Sequence, residues 1–403
     1  MLKTYEYRLY PNKEQEVLLA KHFGCARFVY NKILEEKMNT KKGSYSYFCK
    51  QITSWKHSDE FSFLKEVSIA TLQFAAQHVM NSYNNFFNLY YPKYSKEKDI
   101  ENKYKRISVW KYKKDSSYQF SVRDLKGYPE FKSLKDRKQS YSVIGHCYVD
   151  FDKGMVRIPK FQEGIKARID RSFEGQVRTC TIKKSKTDKY FISVLVEDGR
   201  QYPTPDKVSI EKSLGIDVGL KTLVTCSDGR KFENPRFLSK ELSRINFLNR
   251  KASKKIKGSN NQRKLYKRIG RIYEKITNKK KDFIHKMTYI LTHDNQVSTI
   301  CMEDLNVEGM LKNHRLSSKI WDAAWSSIRK QLEYKCKWYG KNLVFVNTFY
   351  PSSRTCSCCG YIKEDLTLSD RDWVCPKCHV KHDRDLNASI NIRNVGIQDR
   401  VYP

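Results

Sequence analysis

Four cysteines carry the most specific chemical signal in the chain. In CSCCGYIKEDLTLSDRDWVCPKC, Cys356 and Cys359 form a C-x2-C pair, fifteen residues intervene, and Cys375 and Cys378 form a second pair. Each pair makes a tight knuckle with two thiolates aimed at one ion, and two knuckles complete the tetrahedron that structural zinc prefers. Gly360 follows the first pair, where such a turn often needs positive φ. A redox C-x-x-C is the rival reading, and two matched pairs disfavour it. Cys358 is left over, and His379 and His382 rank below the four cysteines as ligands. A closed site of this kind stabilises a small β ribbon and performs no reaction.

Three acids stand in unusual surroundings: Asp217 in GIDVG, Glu303 in CMEDL and Asp385 in DRDLNASINI. Asp217 lies in an apolar stretch, where a lone carboxylate is costly to desolvate and needs a cation or a hydrogen-bonding partner. Carboxylates from separate strands can converge on two Mg²⁺ ions about 4 Å apart, the arrangement that hydrolyses phosphodiesters. Taken singly, each acid reads more readily as a turn or cap residue. The set is stronger than its members.

These residues must be positioned by a chain of 403 residues, long enough for two to four compact units. Lys and Arg total 78 against 44 Asp and Glu, a formal charge of +34, which calls for a polyanionic partner. Nucleic acid fits better than a membrane surface, since no run of about 18 apolar residues exists. The opening MLKTYEYRLYPNKEQ lacks a signal-peptide core, and eight unpaired cysteines suit a reducing compartment, so a cytoplasmic, nucleoid-associated protein is expected.

KTYEYRLY reads as a strand ended by Pro11, and Asn12 with Gln15 has the form of a capping box opening two short helices broken near Gly24. Apolar residues from Ile69 to Tyr91 recur at helical spacing, with Gln73 and Gln77 on the polar face. A basic, aromatic stretch from 95 to 140 has no firm period. HCYVDFD, MVRIP, KARID, VRTCTIKK and YFISVLVED then alternate as strands, which suggests a compact β barrel that the first strand joins. After a polar linker at 206–212, SLGIDVGLKTLVTCSDGRKF reads as a three-strand meander. Residues 239–290 hold 17 Lys and Arg against 3 Asp and Glu, with apolar positions spaced for two helices broken at GSNNQ. QVSTICMEDL and KNLVFVN read as strands on either side of one amphipathic helix, KIWDAAWSSIRKQLEYKCKWYG. Alternating strands and helices mark an α/β core in the C-terminal half.

Taken together, GIDVGLKTL, MEDLNV, the two C-x2-C pairs and DRDLNASINI resemble the RuvC nuclease core of TnpB proteins, RNA-guided nucleases of bacterial insertion sequences. YRLYPNKEQEVLLAKHFGCARFVYNKIL is similar to the same family's opening, so the resemblance spans nearly the whole chain. It implies an α+β multidomain protein: a β-barrel wedge domain over 1–12 and 116–205, a helical recognition domain over 13–115, a RuvC (RNase H-like) nuclease over 206–350 and 380–403, and a zinc ribbon over 351–379. By matching motif positions it puts the catalytic, Mg²⁺- or Mn²⁺-binding acids at Asp217, Glu303 and Asp385. Asp304 and Asp383 do not match, and Ser389 stands where an Ala is usual, a departure that should leave the metals undisturbed.

The implied partners are a guide RNA transcribed from the transposon end, bound by one protein, and double-stranded target DNA beside a short flanking motif. Such a protein holds backbone and shape, which demands Lys and Arg more than base-reading side chains. Gln73 and Gln77 are candidates for base contacts there, with a solvated polar face as the plainer reading. The rivals are a compact type V CRISPR effector, which carries the same acids and ribbon, and a non-cutting RNA-guided repressor, against which the intact acids argue.

Overall fold

The computed structural model describes residues 1–40, 43–90, 123, 127–134, 139–367 and 369–401, so most of the basic stretch at 95–140 and Tyr91 lie outside the described residues. The chain divides into two compact units, Leu2–Arg200 and Gln201–Pro403.

In the first unit, β1 (Leu2–Tyr10) is followed by helices α1 (Lys13–Thr40), α2 (Tyr45–His57) and α3 (Ile69–Asn85). The strands β2 (Gln139–Ile144), β3 (Tyr148–Asp150), β4 (Met155–Ile158), β5 (Phe161–Arg168), β6 (Gln176–Lys184) and β7 (Tyr190–Glu197) then form a seven-stranded sheet with it, in the order β2-β6-β7-β1-β5-β4-β3. β1 pairs antiparallel with β7 on one side and β5 on the other. The capping box exists: Gln15 N donates to Asn12 Oδ1 at 2.8 Å and Asn12 N to Gln15 Oε1 at 3.1 Å.

One expectation needs correction here. Gly24 does not break α1, which runs unbroken because its buried face continues through Leu19, Phe23, Ala26, Val29, Tyr30 and Ile33. One glycine costs about 1 kcal/mol in a helix interior, and tertiary burial outweighs that. The strand β2 begins at the end of the stretch without firm period and shows no alternation of its own, because Tyr141, Ser142 and Val143 are buried in succession. α1 and α3 both pack against it, and Tyr141 stacks on His22 at 5.1 Å.

The second unit is built on a five-stranded sheet ordered β10-β9-β8-β11-β12, formed by β8 (Ser213–Val218), β9 (Thr222–Cys226), β10 (Lys231–Glu233), β11 (Thr299–Glu303) and β12 (Asn342–Val346). The expected meander supplies the antiparallel half, while β8, β11 and β12 run parallel. Between β10 and β12 run the basic helices α4 (Phe237–Ser253) and α5 (Asn260–His293), then α6 (Val307–Met310), α7 (Ser317–Ala323) and α8 (Trp325–Trp338). α4 and α5 share a seam of Leu238, Ile245, Ile269, Ile272 and Ile276. The single amphipathic helix expected at 319–340 is two, because Ala324 adopts left-handed φ 54. The break leaves Asp322 to cap α4 by accepting from Leu238 N at 3.1 Å, and Trp325 to donate its indole N–H to Gly219 O at 3.3 Å.

The strand period of two divides this sheet into faces. Leu214, Ile216, Ile300 and Met302 join a core with α5 and α8 residues Ile284, Met287, Ile328 and Leu332. Cys301, Val344 and Val346 pack instead with Ile392 and Ile397 of the C-terminal helix α9 (Arg384–Val401). Contact is closest at Gly215, where an added Cβ would lie 1.9 Å from Ser389 O and 2.7 Å from Arg393 N. Helix and strand thus meet backbone to backbone.

Gly215→Ala should therefore lower stability by about 3 kcal/mol or more, since an overpacked site with backbone on the far side cannot relax cheaply. Gly24→Ala, with no heavy atom within 4 Å of the new Cβ, should raise it by about 0.5–1 kcal/mol. Urea unfolding of both variants checks the contrast.

Candidate active site and metal cluster

Parity along the strands aims the first two acids. Asp217 lies two residues beyond Gly215 and Glu303 two beyond Cys301, so both project from the α9 face of the sheet. Asp385 lies one turn before Ser389 on α9. Four helical residues rise about 6 Å and two strand residues about 6.6 Å. With Ser389 against Gly215, that match carries Asp385 toward Asp217.

The electrostatics agree with this placement. Asp217 is pushed from its ordinary 3.8 up to about 7, first by burial and then by the negative charges of Glu303 and Asp385; the Val218 amide and Arg384 oppose the shift. Glu303 is also raised by burial, against a hydrogen bond from Ser352 Oγ to its Oε1 at 2.6 Å. Asp385 pairs with Arg371 Nη1 at 3.5 Å. The two acids left aside in the sequence have other work. Asp304 is bound by Arg329. Asp383 pairs with Lys231 at 2.6 Å and accepts from Leu386 N at 2.9 Å, capping α9. Ser389 is buried with its hydroxyl donated to Leu386 O at 2.7 Å, so its polarity is satisfied within the helix. Beside Glu303 opens a cleft of about 310 Å³, lined also by Asn306, Trp325, Arg329 and Lys330.

Cys356, Cys359, Cys375 and Cys378 come together, with all four sulfurs within 4.8 Å of one another. The two knuckles repeat one pattern. Gly360 N donates to Cys356 O and Cys356 N to Tyr361 O; His379 N donates to Cys375 O and Cys375 N to Val380 O, all between 2.8 and 3.0 Å. Gly360 (φ 75) and His379 (φ 59) hold equivalent left-handed positions, so His379 is a turn residue. His382 is buried on β14 (Lys381–Asp383), which pairs with β13 (Asp372–Val374), and its Nε2 lies 3.1 Å from Cys356 Sγ. Cys356, Cys358 and His382 make a second close group, but Cys358 is exposed. Among the described residues, these cysteine sets are the groups tight enough for one shared ion; the acid trio is not among them. Four thiolates suit a soft or borderline cation, and carboxylates suit hard ones.

In the first unit, Gln73 lines a cleft of about 860 Å³ with Arg157, Lys160 and Gln162, whereas Gln77 Nε2 donates to Asn81 Oδ1 at 2.9 Å. In the second, Arg263, Lys264, Arg268, Arg271, Lys275, Lys279 and Lys281 of α5 are exposed. Among the described residues no helix is long and apolar enough to cross a membrane. Sequence reasoning missed Ser352, which had no motif to mark it.

The raised Asp217 carries a pH signature. Its folded protein keeps a proton that the unfolded chain releases near pH 4, so its contribution to stability is complete below about pH 4 and lost as pH rises through about 7. Thermal melts in chelator should show that loss, and Asp217→Asn should flatten it.

Family comparisons match three segments: a helix-turn-helix domain over 1–42, a probable transposase over 191–314, and a Cas12f1-like TNB domain over 325–392. A Streptomyces pristinaespiralis protein named as an RNA-guided DNA endonuclease is 34% identical over 98% of this chain and 89% of its own length. InsQ of Escherichia coli strain K12, named likewise, is 26% identical over 98% of this chain and 92% of its own. A solved Cas12f1–sgRNA–target DNA complex aligns with a TM-score of 0.48 at 16% identity, over 98% of this chain and 99% of that one. At 34% identity along almost its entire length, the chain belongs to the TnpB family of RNA-guided DNA endonucleases.

Proposed function

We propose that this chain binds a guide RNA transcribed from a transposon end, recognises a short flanking DNA motif, and hydrolyses phosphodiesters of the selected DNA at Asp217, Glu303 and Asp385. One observation carries the reading: three acids spread over 169 positions share an electrostatic environment in which burial and mutual repulsion raise Asp217. An active site keeps such charge for a cation.

The donors are all hard oxygens, and the negative charge gathered around buried Asp217 fits two Mg²⁺ or Mn²⁺ ions held by Asp217, Glu303 and Asp385. Such ions supply an activated water and charge stabilisation at the leaving oxygen. The chain's part is rigidity. Asp217 rides the central strand, Asp385 the first turn of a capped helix, and Glu303 a strand end steadied by Ser352. Zn²⁺ at Cys356, Cys359, Cys375 and Cys378 orders the ribbon, with no role in the reaction.

The domain reading follows the same family. Residues 206–350 and 380–403 make the RuvC, RNase H-like nuclease, consistent with a meander followed by parallel strands; 351–379 make the zinc ribbon. The sheet of 1–12 and 116–205 is read as the wedge barrel, and 13–115 as the helical recognition domain. The exposed basic face of α5 suits the phosphates of guide RNA and target DNA.

Asp217→Ala should reduce DNA cutting to background while RNA still co-purifies. Plasmid cleavage by the RNA-loaded protein in Mg²⁺, against a library of flanking motifs, measures it; a wild-type complex that cuts under no motif removes the nuclease reading. Cys375→Ser should release zinc, read by elemental analysis, and slow cutting.

A further inference from the structure

The hydrogen bond on Glu303 comes from the segment that leads into the first zinc knuckle. Ser352 sits in a turn closed by Ser352 N to Tyr350 O at 2.8 Å and by Arg354 N and Thr355 N to Pro351 O at 3.0 Å. None of those bonds uses the Ser352 hydroxyl, which is donated to Glu303 Oε1 at 2.6 Å, a short contact to a carboxylate. Ser352 is buried and Glu303 half-buried, so little water competes for the hydroxyl.

The same turn is gripped from the other side by α9, the helix that bears Asp385. Asn391 Nδ2 donates to Ser352 O at 2.8 Å and to Thr355 O at 2.6 Å. Asn387, one turn earlier, donates from Nδ2 to Thr355 O at 2.7 Å and accepts from Ser357 N at 2.9 Å. Both asparagines are buried, 1% and 4% exposed. Cys356 lies between the two clasped peptides, so the first knuckle, the Glu303 carboxylate and the Asp385 helix share one hydrogen-bonded latch. Buried amides with these bonds are expensive to break, and half-broken networks more so.

We infer that Ser352 is a positioning residue for Glu303, and that Asn387 and Asn391 tie its orientation to the zinc knuckle. The inference rests on the reading that Glu303 holds the divalent ions. Ser352 fixes which Glu303 oxygen is already engaged and leaves the other for a cation, as partners behind a ligand do. Zinc acts on cutting by this route, through the turn at 351–357, as well as through the ribbon's own fold.

The test uses the complex purified with its own RNA. Single-turnover cleavage is measured across a Mg²⁺ titration for wild type, Ser352→Ala, Ser352→Thr, Asn391→Ala and Glu303→Gln, alongside Mn²⁺ binding by paramagnetic resonance and zinc content. Removing a partner behind a metal ligand typically lowers affinity or activity about 10- to 100-fold. Ser352→Ala should raise the Mg²⁺ needed for half-maximal cutting and weaken Mn²⁺ binding by that order, with target binding and zinc content unchanged. Excess Mg²⁺ should restore its rate, and Ser352→Thr, which keeps the hydroxyl, should recover most of the affinity. Asn391→Ala should shift the titration in the same direction, and the double variant should be less than additive. Wild-type Mg²⁺ dependence in Ser352→Ala while Glu303→Gln is inactive overturns the inference and spares the active-site reading. A defect in Ser352→Ala that excess Mg²⁺ does not recover, or fully additive effects, overturns it also. Unimpaired cutting by Glu303→Gln overturns the carboxylate reading itself.

Discussion

The carbonyl oxygen of Ser389 lies where a side chain on Gly215 would begin. Much of the second unit depends on that contact. It lets α9 lie directly on the central strand, and Gly396 repeats the device one side over, where an added Cβ would meet Cys301 Sγ at 2.8 Å. A helix seated this closely cannot slide along the strand without driving backbone into backbone. The register between Asp217 and Asp385 is thereby set by sterics, independent of any attraction between the acids. That independence matters because the acids repel. Burial and two like charges raise Asp217 to about 7, and only a frame held by other forces keeps them close.

Those other forces are apolar on one side of the sheet and polar on the other. Leu214, Ile216, Ile300 and Met302 are covered by α5 and α8, a wide aliphatic layer that secures β8 and β11. On the α9 face the apolar patch is small, and buried amides and hydroxyls take over toward the acids. Directional bonds suit that place better than an oily surface. They orient a carboxylate, and they tolerate the nearby charge that an aliphatic layer would penalise. The neighbouring acids follow the same division of labour. Asp304 and Asp383 are paired with Arg329 and Lys231, so their charge is spent on structure, while Asp217 keeps its negative neighbours.

How much of this was legible in the sequence depended on whether the signal was local. The cysteine knuckles were, because two residues of spacing determine a turn and a glycine marks the first one. The Asn12–Gln15 capping box and the meander around Asp217 were legible for the same reason. Asp217, Glu303 and Asp385 stood out by apolar context and by family resemblance, though their meeting depends on strand parity and on Gly215, whose role is invisible without the helix above it. The misreadings were tertiary. Gly24 looks like a break until α1 is seen to have a continuous buried face, and Ala324 looks like helix until Asp322 and Trp325 are seen to serve different neighbours. β2 lacks alternation because Tyr141, Ser142 and Val143 are buried in succession where α1 and α3 pack against it. Ser352 had no local mark at all, since a serine in a turn is ordinary and only its distance to Glu303 gives it meaning.

The place of the four-cysteine segment in the chain, between Glu303 and Asp385, sharpens what the cysteine cluster does. Glu303 and Asp385 lie 82 positions apart with the segment 351–379 between them, and an untethered loop there would do nothing to hold its ends in register. The ribbon reverses this effect. Just beyond it, β14 leads straight into the Asp383 cap and α9, its entry turn carries Ser352, and Arg384 donates to Thr367 O at 2.6 Å within it. Both ends of the insertion are therefore fastened to the acids they adjoin. One ion shared by the four thiolates would tie Cys356 to Cys378 and bypass the residues between them, which would let a cluster without reactive chemistry shape the geometry of carboxylates it never touches.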